Sequence, residues 1–169
     1  DWVYACSTET SCGLKLPIKT LANIGANVII GFPGETRDMI FETIDLVRAA
    51  RQVASDQLGE EKAIEKLSSM IHLYQPYSGT PLRQEAIDMG LIPEDYISGD
   101  YRMDSIGTGK MSGDELKGLQ RTFNLYVDSP KQLWDDIKIA EKFTDEGNAK
   151  FAEYAKKYQL KHFGRTSFS

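Results

Sequence analysis

The stretch that most restricts the fold is residues 26–36, ANVIIGFPGET. Val28, Ile29 and Ile30 form a short unbroken apolar run, typical of a strand in a parallel sheet covered on both faces. The run drives directly into Gly31, Phe32, Pro33 and Gly34. Pro33-Gly34 predicts a type II turn: proline presets φ at the second position and glycine accepts the positive φ of the third. Glu35 and Thr36 then stand at a helix start, where the dipole favours a carboxylate and a hydroxyl can cap. The same punctuation recurs at 74–82, YQPYSGTPL, with Thr80 as cap and Pro81 in the first turn. Ligands of parallel α/β folds bind beyond the carboxyl ends of the strands, so two such turns point to one shared mouth.

The rest of the chain fits around these turns. Residues 2–5 suit a short strand or a frayed end. Residues 16–25, LPIKTLANIG, read as a two-turn helix with Pro17 near its start and Gly25 as its stop. Met39, Ile40, Ile44, Leu46 and Val47 predict an amphipathic helix over 37–53. The polar stretch 55–62 breaks that pattern, and a shorter helix over 60–66 follows. SSMIHLYQPY, residues 68–77, is the second strand. The order helix, strand, helix, strand is the grammar of a parallel α/β layer with right-handed crossovers. Two or three strands do not complete such a sheet, so this half reads as part of a larger layer or barrel. Gly90 is placed to end a helix that starts at Pro81. Residues 93–111 read as a long loop, a length that marks function or mobility.

Beyond residue 111 the grammar is helical. Ser112-x-x-Glu115 is a capping box. Leu116, Leu119, Phe123, Tyr126 and Val127 form an apolar stripe. Ser129-Pro130 starts a further helix with Leu133, Trp134, Ile137, Ala140 and Phe143 inward, and a last helix over 146–158 carries Phe151, Ala155 and Tyr158. These aromatics suit a core better than a cofactor box.

Composition narrows the function classes. The 169 residues hold 20 Lys and Arg against 25 Asp and Glu, a net charge of −5. A broad phosphate-binding face needs the opposite balance. No apolar run reaches the roughly 18–20 residues of a membrane span, and the amino terminus lacks the pattern of a signal peptide. The chain does not begin with Met, which suits a processed piece or a fragment. Cys6 and Cys12 are the only cysteines and read as reduced thiols of a cytoplasmic protein. Together with His72 and His162 they make no tetrahedral zinc pattern. The run DSIGTGKMS resembles a phosphate loop, but Asp104 and Met111 stand where that motif needs Gly and Ser or Thr. No Ser/His/Asp constellation is present. Glu60-Glu61 and Asp135-Asp136 read as solvated helix faces.

VIIGFPGET, followed about forty residues later by YQPYSGTPL, resembles the carboxyl half of a radical S-adenosylmethionine enzyme. The nearest likeness is to the cobalamin-binding group related to the anaerobic magnesium-protoporphyrin IX monomethyl ester oxidative cyclase. In that family one barrel strand ends in G-[FL]-P-G-E-T and the next runs into P-Y-x-G-T-P-L. The likeness covers residues 17–90, and LQRTFNLYVDSP resembles the helical tail of such proteins. It implies the carboxyl-terminal portion of a partial (β/α)6 barrel over residues 1–90, a loop over 91–111 and a helical extension over 112–169. Residues 26–36 would be the fifth strand and turn, and 70–82 the sixth. Carried over by position, Ile30, Gly31, Pro33, Gly34 and Glu35 would line the S-adenosylmethionine side, with Gln75, Pro76 and Tyr77 beside them. Glu35 would order its turn rather than do acid–base work.

The family's C-x3-C-x2-C run is absent, and two cysteines cannot supply the three thiolates that hold a [4Fe-4S] cluster. The glycine-rich methionine-binding motif and any cobalamin domain are absent too. The resemblance therefore implies an inactive piece of a larger iron–sulfur oxidoreductase or methyltransferase. That parent would hold the cluster and S-adenosylmethionine, with cobalamin as an option, and act on an organic substrate, a tetrapyrrole among the candidates. The piece itself would hold no cofactor tightly, and its partner would be the missing amino-terminal part. Two alternatives stand beside this. One is a binding module that keeps half a barrel and covers its open sheet edge by dimerising. The other is a piece of a tRNA methylthiotransferase-like enzyme, which shares the PGET turn but usually ends in an RNA-binding β-barrel, where this chain is helical and acidic.

Overall fold

The computed structural model describes residues 24–60, 62–63, 67–98 and 105–159. The expectations for residues 2–5, for 16–23, for Cys6, Cys12 and His162, and for most of the 60–66 helix lie outside the described residues. Strand β1 (Ile24–Ile30) and strand β2 (Leu67–Leu73) pair in parallel, Ile24 opposite Leu67 and Ile30 opposite Leu73. Helix α1 (Arg37–Leu58) crosses between them; α2 (Pro81–Asp88), α3 (Gly113–Asp128), α4 (Trp134–Ala140) and α5 (Asp145–Tyr154) follow. The described residues are thus mixed α/β, mostly helical, around a two-stranded parallel sheet.

Several boundaries differ from the sequence reading for physical reasons. Gly25 lies inside β1 rather than ending a helix, because the pairing with β2 starts one residue before it. Helix α1 runs through Ser55 to Leu58. Polar residues there face solvent, Gln52 Nε2 bonds Asp56 Oδ1 at 2.7 Å, and Ala54 keeps an inward contact. The helix stops at Gly59, whose amide donates to the Ser55 carbonyl at 2.8 Å. Strand β2 ends at Leu73, before Gln75-Pro76-Tyr77. Pro130 opens a single 3-10 turn (Lys131–Leu133) before α4, and α4 ends at Ala140. Phe143 therefore falls beyond the helix and is 58% exposed, not inward; the Arg121 guanidinium lies 4.8 Å from its ring centre. Helix α5 gives way at Ala155 to a π-type turn through Gln159. Asp136 is not merely solvated, since it accepts from Tyr154 Oη at 2.6 Å. The capping box forms as expected, with Glu115 N donating to Ser112 Oγ and Ser112 N to Glu115 Oε2.

One face of the sheet is covered. Ile30 and Leu73 pack with Ile40, Ile44 and Val47 of α1 and with Leu116, Leu119 and Phe123 of α3. Each fully buried side chain of this size contributes about 1.5–3 kcal/mol. Across the helical layer, Arg48 Nη1 donates to the carbonyls of Tyr126, Val127 and Ser129 at 2.5, 2.9 and 2.7 Å. It satisfies the carbonyl end of α3, which has no basic residue of its own in its last turn.

The two sheet edges are treated differently. Tyr74 N donates to Ile30 O, so the carbonyls of Leu73, Ile71 and Ser69 point away from β1. Gln120 Nε2 takes the Ile71 carbonyl at 3.0 Å, and Asn124 Nδ2 takes that of Ser69 at 3.4 Å. Side chains four apart on α3 thus close the outer edge of β2 against a further strand. Beside β1 no other strand lies among the described residues. On the second sheet face Ile29 is 48% and Met70 59% exposed, Asn27 is exposed and His72 half-buried. The run Val28–Ile30 reads as a strand covered on both faces; among the described residues it is covered on one. Among the described residues no helix is long and apolar enough to cross a membrane.

Candidate functional site at the carboxyl ends of the strands

The parallel register brings Gly31 and Tyr74 level, so the two motif turns lie side by side. Phe32 and Tyr74 pack with ring centres 5.4 Å apart. Residues 32–35 form the expected type II turn: Glu35 N donates to Phe32 O at 3.0 Å and Gly34 has φ +77°. Thr36 is the N-cap of α1, its Oγ1 accepting from Met39 N at 3.4 Å.

Glu35 does more than face a dipole. Its buried carboxylate turns back and accepts from Gly31 N at 2.5 Å and from Phe32 N at 3.2 Å. These amides are the first beyond the sheet ladder, and the carboxylate supplies the acceptor that the strand end lacks. Burial pushes its carboxyl up, while the two amides pull it down; the balance is upward. Glu35→Ala is expected to cost about 2 kcal/mol, because two amides lose their acceptor in a partly buried site. Glu35→Gln keeps an acceptor and is expected to be close to neutral. The folded carboxyl holds its proton to higher pH than the unfolded one, with its ordinary value of 4.5. Glu35 therefore makes stability fall as pH rises above about 4.5 through its folded pKa. Urea midpoints over that range should slope less in Glu35→Gln.

The loop after residue 104 docks on this turn. Gly34 N donates to Thr108 O at 2.8 Å, and Thr108 Oγ1 donates to Glu35 O at 2.7 Å. The same hydroxyl accepts from Lys110 N and Met111 N. The run that mimics a phosphate loop is thus a clamp on the first turn. The second turn has its own clamp. The Pro76 carbonyl accepts from Arg83 Nη1 at 3.0 Å and from Ser98 Oγ at 2.8 Å, while Arg83 Nη2 reaches the carbonyls of Glu94 and Tyr96. Thr80 is the N-cap of α2, but its hydroxyl donates to Tyr77 O instead of capping.

The eight residues singled out from the sequence fall into two groups. Ile30 is fully buried, its side chain in the core and its carbonyl bonded to Tyr74 N. Gly31, Pro33, Glu35, Gln75 and Pro76 are buried, and Gly34 is half-buried. Tyr77 alone projects, at 58% exposure. Thr108, Arg83 and Ser98 were not singled out. The only sequence signal for the first was Thr108 between two glycines, read as a failed motif. Arg37, first residue of α1, forks onto both carboxylate oxygens of Glu141, and Tyr126 Oη donates to the same group at 2.5 Å. A cleft of about 640 Å³ opens beside this pair, lined by Arg37, Lys117, Lys138 and Phe143 among others. No group of three or more His, Cys, Asp or Glu suited to a metal occurs among the described residues.

Comparison of the chain with protein-family models, with curated proteins and with solved structures gave no match.

Proposed function

We propose that the chain is the carboxyl-terminal part of the catalytic barrel of an iron–sulfur radical S-adenosylmethionine enzyme, β1 and β2 being the last two strands of a partial (β/α)6 barrel. The observation that carries this reading is the one-sided sheet. The edge of β2 is sealed by Gln120 and Asn124, while among the described residues nothing pairs with the edge of β1 and the face bearing Ile29 and Met70 stays exposed. A last strand needs the first property and the wall of a larger barrel needs the second. The two motif turns adjoin at the same end of this sheet, where a parallel α/β fold binds its ligand.

The residues fit parts of such a site unequally. Phe32 and the projecting Tyr77 offer aromatic surface for a nucleoside, and the clamped 31–36 turn holds the backbone against which it would rest. Glu35 orders that backbone. Two cysteines do not fit an iron–sulfur cluster, so the cluster and the reductive cleavage of S-adenosylmethionine belong to the missing part of the parent. The substrate would be a small organic molecule in the cytoplasm, held against the open sheet face.

The test is the size of the native product, by immunoblot of extract prepared without oxygen. A product much larger than 19.0 kDa, with three clustered cysteines upstream and formation of 5′-deoxyadenosine, is expected. A native product of 19.0 kDa overturns the reading. The open β1 edge then favours the second reading, a binding module that dimerises there, and sedimentation would show a dimer.

A further inference from the structure

The cleft beside the Arg37–Glu141 pair gathers four cations in a chain whose net charge is −5. Two close approaches shape it. A methyl on Gly118 of α3 would lie 2.6 Å from the Glu141 carbonyl oxygen, and one on Gly147 of α5 would run into that of Lys142. Bare backbone at both places lets the end of α4 seat against both helices. Lys117 of α3, with Lys138 and Lys142 at the end of α4, therefore lines one space together with Arg37. The acidic groups of the lining do not cancel this charge. Glu141 is taken by Arg37 and Tyr126, and Glu115 accepts from Ser112 N and Oγ at 2.8 and 2.9 Å in the capping box. Asp114 stands 4.0 Å from Lys117 with its side chain 94% exposed, a pair worth little in solvent. Among the described residues no carboxylate pairs with Lys138 or Lys142. Four apart on one helix end, these two repel each other, a cost that an anion beside them offsets.

We infer that this cleft is a phosphate site, its ligand a small phosphate ester that carries a ring. Lysines from two helices offer a phosphate charge-assisted donors. Phe143 adds an apolar plane to the same lining; it is 58% exposed, and the Arg121 guanidinium lies 4.8 Å from its ring centre. A ring attached to the phosphate can rest on that plane. The volume of about 640 Å³ suits a molecule of nucleotide size. A nucleic-acid strand fits less well. Its backbone needs a basic track that continues past one cleft, and the neighbouring exposed residues Asp135, Asp145 and Glu146 are acidic. The site uses no residue of the two motif turns and is independent of the enzymatic reading.

The test is calorimetric titration of the whole chain at low salt with adenosine monophosphate, inorganic phosphate, adenosine and a single-stranded oligonucleotide. The monophosphate is expected to bind with a Kd of roughly 0.1–1 mM, adenosine not detectably, and the affinity to fall as salt is added. Lys138→Gln combined with Lys142→Gln should weaken binding roughly tenfold or more. Lys62→Gln combined with Lys156→Gln makes the same change of charge at exposed lysines outside the cleft and should leave binding unchanged. Phe143→Ala should weaken the monophosphate but not inorganic phosphate. Inorganic phosphate bound as tightly as the monophosphate, with Phe143→Ala silent, keeps the phosphate site and makes the free ion its ligand. No binding of either phosphate at about 10 mM overturns the proposal. So does an equal loss in the two lysine pairs, which is charge without a site, and so does an oligonucleotide that outbinds the monophosphate.

Discussion

Glu141→Ala is expected to cost about 3 kcal/mol, the lower end of what breaking a buried ion pair from one side costs. The carboxylate is the single acceptor for the fork of Arg37 and for the hydroxyl of Tyr126. Tyr126 is almost fully buried, so its hydroxyl loses a partner in a largely desolvated place. The Arg37 side chain keeps 30% exposure, so part of its loss is recovered by solvent; hence the lower end. The pair also ties the start of α1 to the end of α4 across α3. The urea midpoint should fall with an unchanged slope. A change within about 0.5 kcal/mol, the range of ordinary surface substitutions, would sink the account. Burial first, and then the Glu141 charge, push the Tyr126 phenol far above its ordinary 10.0. The unfolded phenol ionises near that value while the folded one keeps its proton. Stability therefore falls as pH rises above about 10, and Tyr126→Phe should remove that component.

What was legible in the sequence is what local geometry dictates. Pro33-Gly34 allows few turns, and the turn is type II. Ser112 and Glu115 are three apart, and the capping box follows. The apolar periods of Ile40, Ile44 and Val47, and of Leu116, Leu119 and Phe123, placed the core. Whatever depends on distant partners was hidden. Thr108 meets Glu35 across 73 residues and Arg37 meets Glu141 across 104, and no spacing rule reaches that far. Phe143 was read inward because its helix was assumed to continue, and Gly25 was read as a stop because its strand partner lies more than forty residues on. Of the site, the two turns could be read; the clamps that fix them could not. Thr108 was even visible, between two glycines, but once the phosphate-loop pattern failed no other task was read for them, and theirs is to let the loop fold onto Gly34.

That task yields the second large effect, a contrast between Gly107→Ala and Gly109→Ala. Both glycines have positive φ, +74° and +78°, so each alanine bears roughly 1 kcal/mol of backbone strain. They differ in what the new methyl meets. At Gly107 it would lie 2.8 Å from the Met111 carbonyl oxygen, which accepts the Thr108 amide. Backbone must move, and with it go the bonds from Gly34 N and to Glu35 O that clamp the first turn. At Gly109 the methyl meets only the ends of Leu91 and Met89 at 3.4 Å, and flexible side chains can give. Gly107→Ala is therefore expected to cost about 3 kcal/mol and Gly109→Ala about 1. Amide exchange separates the causes. The Gly34 amide should lose protection in the first variant and keep it in the second, while Ile40 and Ile44 in α1 stay protected in both. Equal costs would mean that strain alone matters and that the loop can shift off the turn freely. In that case the 31–36 turn is held by Glu35 alone, and the loop is dispensable to whatever binds at the strand ends.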